Sequence, residues 1–143
     1  NVHLYIAGRK NSYYKFLEHY VKEHNVHNVH FLDMVSNMNE IRSKIDISLV
    51  CAKKEAFGRT IVEDMLAKIL VIGCDTGAIP ELIENNSTGY IYEYGNLNDL
   101  VHKIQYAQKN VEERAIIVDR AFDNAIRNFT NQNTAKKIQE LID

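Results

Sequence analysis

Glu55 and Glu63 stand eight positions apart in the segment CAKKEAFGRTIVE, which begins at Cys51. Between them, Phe57-Gly58-Arg59-Thr60 leads into a pattern in which Ile61, Met65 and Ile69 recur at helical spacing. A glycine at 58 permits a tight turn and a close approach of backbone to a ligand. The first amides of a helix have no intrahelical acceptor and lie at the positive end of its dipole, so Gly58, Arg59 and Thr60 can bind an anion such as a diphosphate. Carboxylates accept hydrogen bonds from paired hydroxyls, so one glutamate suits a sugar ring and the other a ribose. Glu63 falls in the second turn of this helix, on a stripe with Thr60 and Ala67 and off the apolar face. Two glutamates alone are an ordinary surface feature; EAFGRTIVE as a whole raises them to a candidate site. Lys53 and Lys54 can attract a nucleotide's charge, but the preferred reading is of solvated loop residues.

The elements that must position this segment are legible as short apolar runs alternating with helical patterns. Strands are expected over 2–8, 29–32, 46–51, 69–74 and 89–92, apolar on both faces as in a covered parallel sheet. Helices are expected over 13–24, 38–45, 58–68, 79–84 and 97–109. Two more helices close the chain, one with Ala115, Val118, Phe122 and Ile126 on its face, the other with Thr134, Ile138 and Leu141. Asn131 is the expected N-cap of the last. The alternation argues for a Rossmann-like, doubly wound α/β fold with its ligand site at the carboxyl ends of the strands.

Composition narrows the field. The chain has 143 residues, 45% hydrophobic and 25% charged, with a net charge of -2. That suits a single domain over 1–143 and gives no basic surplus for nucleic acid. Cys51 and Cys74 sit in apolar runs and read as buried free thiols in a reducing, cytoplasmic setting. No apolar run approaches the ~20 residues of a membrane span. His24, His27 and His30 are spaced by three, but no cysteine or carboxylate cluster completes a zinc geometry, so no metal site is expected. Tyr90, Tyr92 and Tyr94 share one face of a strand and read as packing and rim residues. Gly8 follows a strand without a G-x-G-x-x-G, which argues against a dinucleotide site.

The Glu-x7-Glu spacing with Phe-Gly after the first glutamate resembles the retaining glycosyltransferases of the GT-B fold, the group 1 family. VIGCDTGAIPELIENNSTGYIYEYGNLNDL is similar to that family's run of strand, Gly-x-x-Glu loop, helix and strand. LYIAG, VHFLD and ISLV fall at the family's intervals, so the likeness covers about residues 2 to 109. It implies that Glu55, the residue assigned to catalysis, hydrogen-bonds hydroxyls of the donor sugar. It implies that the amides of Phe57 and Gly58 contact that sugar and those of Arg59 and Thr60 the distal phosphate. Glu63 binds the ribose, Met34 and Val35 lie beside the base, and Gly8 marks a tight turn near the site. The donor is a nucleotide-diphosphate sugar, no metal or other cofactor is expected, and the anomeric configuration is retained through an oxocarbenium-like transition state.

The resemblance also implies what lies outside this sequence. The acceptor-binding N-terminal domain, which would meet a glycan or lipid-linked acceptor and give any peripheral membrane association at the cytoplasmic face, is expected elsewhere. So is the first strand–helix unit of the C-terminal domain, with its Arg and Lys for the diphosphate. The chain opens on a strand without Met and is read as a donor-binding fragment, inactive alone, of an enzyme of surface polysaccharide synthesis. In the family the absent strand runs between those at 2–8 and 46–51, so these are expected to close directly or to pair with a second molecule. Arg59 replaces a position often apolar, and its guanidinium meets either a phosphate or, preferably, solvent. Lys10 and Asp33 replace family glycines. The alternative is a non-catalytic α/β nucleotide-binding or regulatory module. Against a receiver-like one, the strand at VHLYIAG ends without acids and ISLVCA ends in Cys-Ala-Lys. A nucleotide-sugar epimerase of similar architecture would centre on a different His- and Glu-bearing loop.

Overall fold

Helix α1 (Ser12–Glu23) begins where Asn11 accepts the amide of Tyr14 on its side chain at 2.8 Å, satisfying one of the first-turn donors. The computed structural model describes residues 2–129. It divides into two compact units, one running through Glu40 and one from Ile41 onward.

In the first unit, β1 (Leu4–Ala7) and β2 (Val29–Leu32) run parallel, with Leu4 opposite Val29 and Ala7 opposite Leu32. α1 crosses between them and buries Tyr14, whose hydroxyl donates to the Leu32 carbonyl at 3.3 Å and whose ring meets Phe31 edge-on. The expectation of strands covered on both faces fails for β1: Leu4 and Tyr5 are exposed, because this sheet has two strands and one buried aromatic from the crossover helix. α2 (Met38–Arg42) ends the unit and reaches into the next. It is shorter than 38–45, because the chain turns at Ser43 and Lys44, with the Lys44 amide on the Ile41 carbonyl.

The second unit is a parallel sheet in the order β3 (Ile47–Val50), β4 (Leu70–Cys74), β5 (Tyr90–Tyr92). All five residues of β4 are buried, as its continuous apolar run requires of a central parallel strand. α3 (Arg59–Leu66) buries Ile61 and Met65 fully, each stabilising the fold by about 1.5–3 kcal/mol. α4 (Ile79–Leu82), with Pro80 in its first turn, lies so close to β4 that a Cβ on Gly73 would stand 2.5 Å from Ile79 Cγ2. α5 (Leu97–Lys109) is capped by Asn96, which accepts the Asp99 amide.

α6 (Val111–Phe129) packs through Ile117, Ala121 and Ala125, not through the expected Ala115 and Ile126, which are exposed; Val118 and Phe122 are half-buried. The stripe is offset because two alanines let the helix approach closely where larger side chains would hold it off. The helix expected beyond it, with Thr134, Ile138 and Leu141, and its cap Asn131 lie outside the described residues. Cys74 is buried as expected, but Cys51 is exposed, one residue past the end of β3. Among the described residues the strand at 2–8 is found paired with β2 and the strand at 46–51 with β4, in two separate sheets.

Candidate functional site

β3 and β4 are adjacent and parallel, with Val50 opposite Gly73, so the loops that follow them leave the same edge of the sheet together. The first loop runs from Cys51 to Gly58 and carries Glu55. The second, Asp75 to Ala78, anchors it at two points. The Ala52 carbonyl accepts from Thr76 Oγ1 at 2.9 Å and from the Cys74 thiol at 3.3 Å. The Glu55 carbonyl accepts the Ala78 amide at 2.9 Å. Gly77 has φ +58, and a Cβ there would stand 2.5 Å from the Glu55 carbonyl oxygen, so no other residue lets the loops approach this closely. Burial first, then the thiols of Cys51 and Cys74, push the Tyr92 phenol far above its ordinary value and keep it neutral beneath these loops.

Gly58 is left-handed at φ 70 and serves as N-cap of α3 without a side-chain bond of its own. The turn folds Glu55 back, and its Oε1 accepts the Gly58 amide at 2.8 Å and the Phe57 amide at 3.4 Å. Gly58 therefore does not offer an open amide, contrary to the sequence reading, because the left-handed turn puts the carboxylate three residues back over it. The amides of Arg59 and Thr60 have no acceptor among the described residues. The Phe57 side chain is exposed.

Glu63 reaches the same turn. Its Oε1 accepts from Arg59 Nε at 3.1 Å and its Oε2 from Arg42 Nη2 at 2.7 Å. Arg59, 83% exposed, meets neither of its expected fates fully: its head lies at the surface but pairs with Glu63. Arg42 also donates through Nε to Asp64 Oδ1 at 2.7 Å, and Ser48 Oγ donates to Asp64 Oδ2 at 2.6 Å. Burial opposes the Arg42 charge, but Asp64 and then Glu63, by hydrogen bonding and Coulomb attraction, outweigh it and raise the guanidinium above its ordinary value.

Sequence reading passed over Arg42, Ser48, Asp64, Thr76 and Gly77. For Asp64 a signal existed: it lies at i+3 from Ile61 and beside Met65, on the buried side of α3, where a carboxylate must have a partner. Nothing local singled out the partner, twenty-two positions earlier.

The remaining predicted residues belong to the first unit. Gly8 follows β1, has no left-handed backbone, and a Cβ there would meet nothing within 4 Å, so the expected tight turn does not require glycine. Met34 and Val35 follow β2, Met34 largely exposed. Lys10 and Asp33, the two departures from the family's glycines, pair with each other at 3.3 Å. The Met34 amide, and then Lys10, hold the Asp33 carboxyl below its ordinary value. Among the described residues no three His, Cys, Asp or Glu side chains converge as for a metal.

A family model described as Glycosyl transferases group 1 matches residues 1–124. Among curated proteins, the N-acetyl-alpha-D-glucosaminyl L-malate synthase of Bacillus anthracis is 26% identical over 111 residues, 78% of this chain and 29% of that protein. Among solved structures, a glycosyltransferase from Rickettsia africae ESF-5 superposes with a TM-score of 0.86 at 28% identity, over 99% of this chain and 39% of that one. Anabaena Alr3699/HepE, solved in complex with UDP and glucose, gives a TM-score of 0.90 at 23% identity, over 99% of this chain and 40% of that one. The last likeness speaks to fold alone. The chain spans less than a third of the curated relative.

Proposed function

Since this chain belongs to the group 1 glycosyl transferases, with the α/β architecture of a GT-B C-terminal domain, we propose that it is the donor-binding part of a retaining transferase that uses a nucleotide-diphosphate sugar. One observation carries the reading: the amides of Arg59 and Thr60 open α3 without an acceptor among the described residues, while carboxylates from before and within the helix, Glu55 and Glu63, both reach its first turn.

In this proposal the distal phosphate docks on Arg59 and Thr60. Glu55 turns from the Gly58 amide to the sugar hydroxyls, and the released amides of Phe57 and Gly58 contact the sugar. Glu63 takes the ribose. As the glycosidic bond breaks, negative charge grows on the departing diphosphate. Fixed amide dipoles stabilise it without reorganising, which makes a metal unnecessary. The acceptor, a glycan or lipid-linked sugar in surface polysaccharide synthesis at the cytoplasmic face of the membrane, is assigned to another part of the enzyme. Transfer needs both substrates held together, so this chain alone is not expected to turn over. No described helix is long and apolar enough to cross a membrane.

Titration of the chain with UDP and with GDP, followed by amide NMR, tests the site. The Gly58, Arg59 and Thr60 resonances should shift together and saturably. Silence from all three at millimolar concentrations of both nucleotides would refute the reading.

A further inference from the structure

Glu63 is held from behind by a residue that does not belong to the loop or to its helix. Arg42, in the last turn of α2, has a side chain only 9% exposed and serves two neighbouring carboxylates, Glu63 through Nη2 and Asp64 through Nε, each at 2.7 Å. Asp64 is 4% exposed and is completed by Ser48; Glu63 is 40% exposed. The cluster thus has a buried end, fixed by Arg42, Asp64 and Ser48, and an open end, the Glu63 carboxylate.

Resting on the donor-site reading above, we propose that Arg42 is the positioning residue for Glu63, clamping one carboxylate oxygen so that the other is presented to the paired hydroxyls of a ribose. The two arginines on Glu63 differ in kind. Arg59 is a surface partner at 3.1 Å and leaves Oε1 readily, since exposed pairs contribute little. Arg42 is fixed through Nε to the buried carboxylate of Asp64, and that bond holds its Nη2 at Oε2. A ribose therefore competes with Arg59 and not with Arg42. The planar fork of arginine holds two carboxylates at fixed, separated positions, a geometry that the single ammonium of a lysine does not reproduce. Without the clamp, Glu63 samples its rotamers and must be ordered by the nucleotide, a loss on the order of 10-fold in affinity.

The hold of Arg42 on Asp64 is also structural, so the test reads the ribose and not affinity alone. UDP and GDP are compared with their 2′,3′-dideoxy forms by calorimetry, using whichever base binds the more tightly. Wild type should favour the ribonucleotide by on the order of 10-fold or more, the value of hydroxyls bonded to a charged acceptor. Arg42→Lys should bring this ratio toward one while changing dideoxy affinity by less than about 2-fold. If Arg42→Lys does not fold, the pair Arg42→Met with Asp64→Leu, which removes both buried charges together, should show the same collapse. A ratio preserved in the folded Arg42 variants but abolished by Glu63→Ala would overturn the proposal and leave the site reading standing. A wild type that binds neither nucleotide would overturn both.

Discussion

Gly77→Ala tests whether the second loop holds Glu55 in place. At φ +58 an alanine costs about 1–2 kcal/mol by its left-handed conformation alone. The added Cβ would stand 2.5 Å from the Glu55 carbonyl oxygen and 2.8 Å from its amide nitrogen, both backbone atoms that cannot swing aside. Glu55 would have to retreat by roughly 1 Å to reach ordinary contact. That retreat breaks the bond from the Ala78 amide to the Glu55 carbonyl, worth about 1 kcal/mol, and draws the carboxylate away from the Gly58 amide. The expected destabilisation is about 3 kcal/mol, a large share of a typical domain's 5–15 kcal/mol. Two other glycines separate the terms. Gly95 has φ +82 with nothing within 4 Å of its Cβ position, so Gly95→Ala should show only the conformational cost. Gly8 has neither feature, and Gly8→Ala should stay within about 0.5 kcal/mol of wild type. Urea unfolding measures all three, and the Gly58 amide resonance reports whether Glu55 has moved. If Gly77→Ala costs no more than Gly95→Ala and leaves that resonance in place, the anchoring argument is wrong.

Two further expectations concern buried polar groups. Arg42→Met should destabilise by about 3–5 kcal/mol in urea unfolding, since Asp64 is left buried with Ser48 but without its cationic partner, and adding Asp64→Leu should recover most of that; additive losses would refute the coupling. Tyr90 is 1% exposed, its hydroxyl has no partner among the described residues, and burial pushes its phenol up to about 12. The unfolded phenol ionises near 10, so this contribution to stability is complete below about pH 10 and is lost between about pH 10 and 12, on the order of 2–3 kcal/mol. Tyr90→Phe should remove that part of the alkaline loss and leave neutral-pH stability equal or higher, as measured by unfolding across that range; an unchanged profile would refute it.

Much of the layout was legible because burial imposes a local pattern. The run LVIGC reads as a central strand from its own composition, and the ranges 29–32 and 97–109 are those of β2 and α5. The start of α3 was equally legible: a glycine that tolerates a left-handed turn, followed by an amphipathic run, marks a helix N-terminus without reference to anything distant. The face of α6 differs from the expected one because apolar residues lie on both sides of the helix, and the buried stripe of Ile117, Ala121 and Ala125 is set by close packing and not by side-chain size.

What the sequence determined by itself is therefore what neighbours in the chain decide: the alternation of strands and helices, the αL turn at Gly58, and the placing of Glu55 and Glu63 around one helix start. Only the tertiary structure decided what those carboxylates touch. Arg42 meets Glu63 and Asp64 across more than twenty residues of chain, and Gly77 meets Glu55 because β3 and β4 end side by side. Such partners are selected by distance and desolvation in the folded state, quantities that local periodicity does not encode.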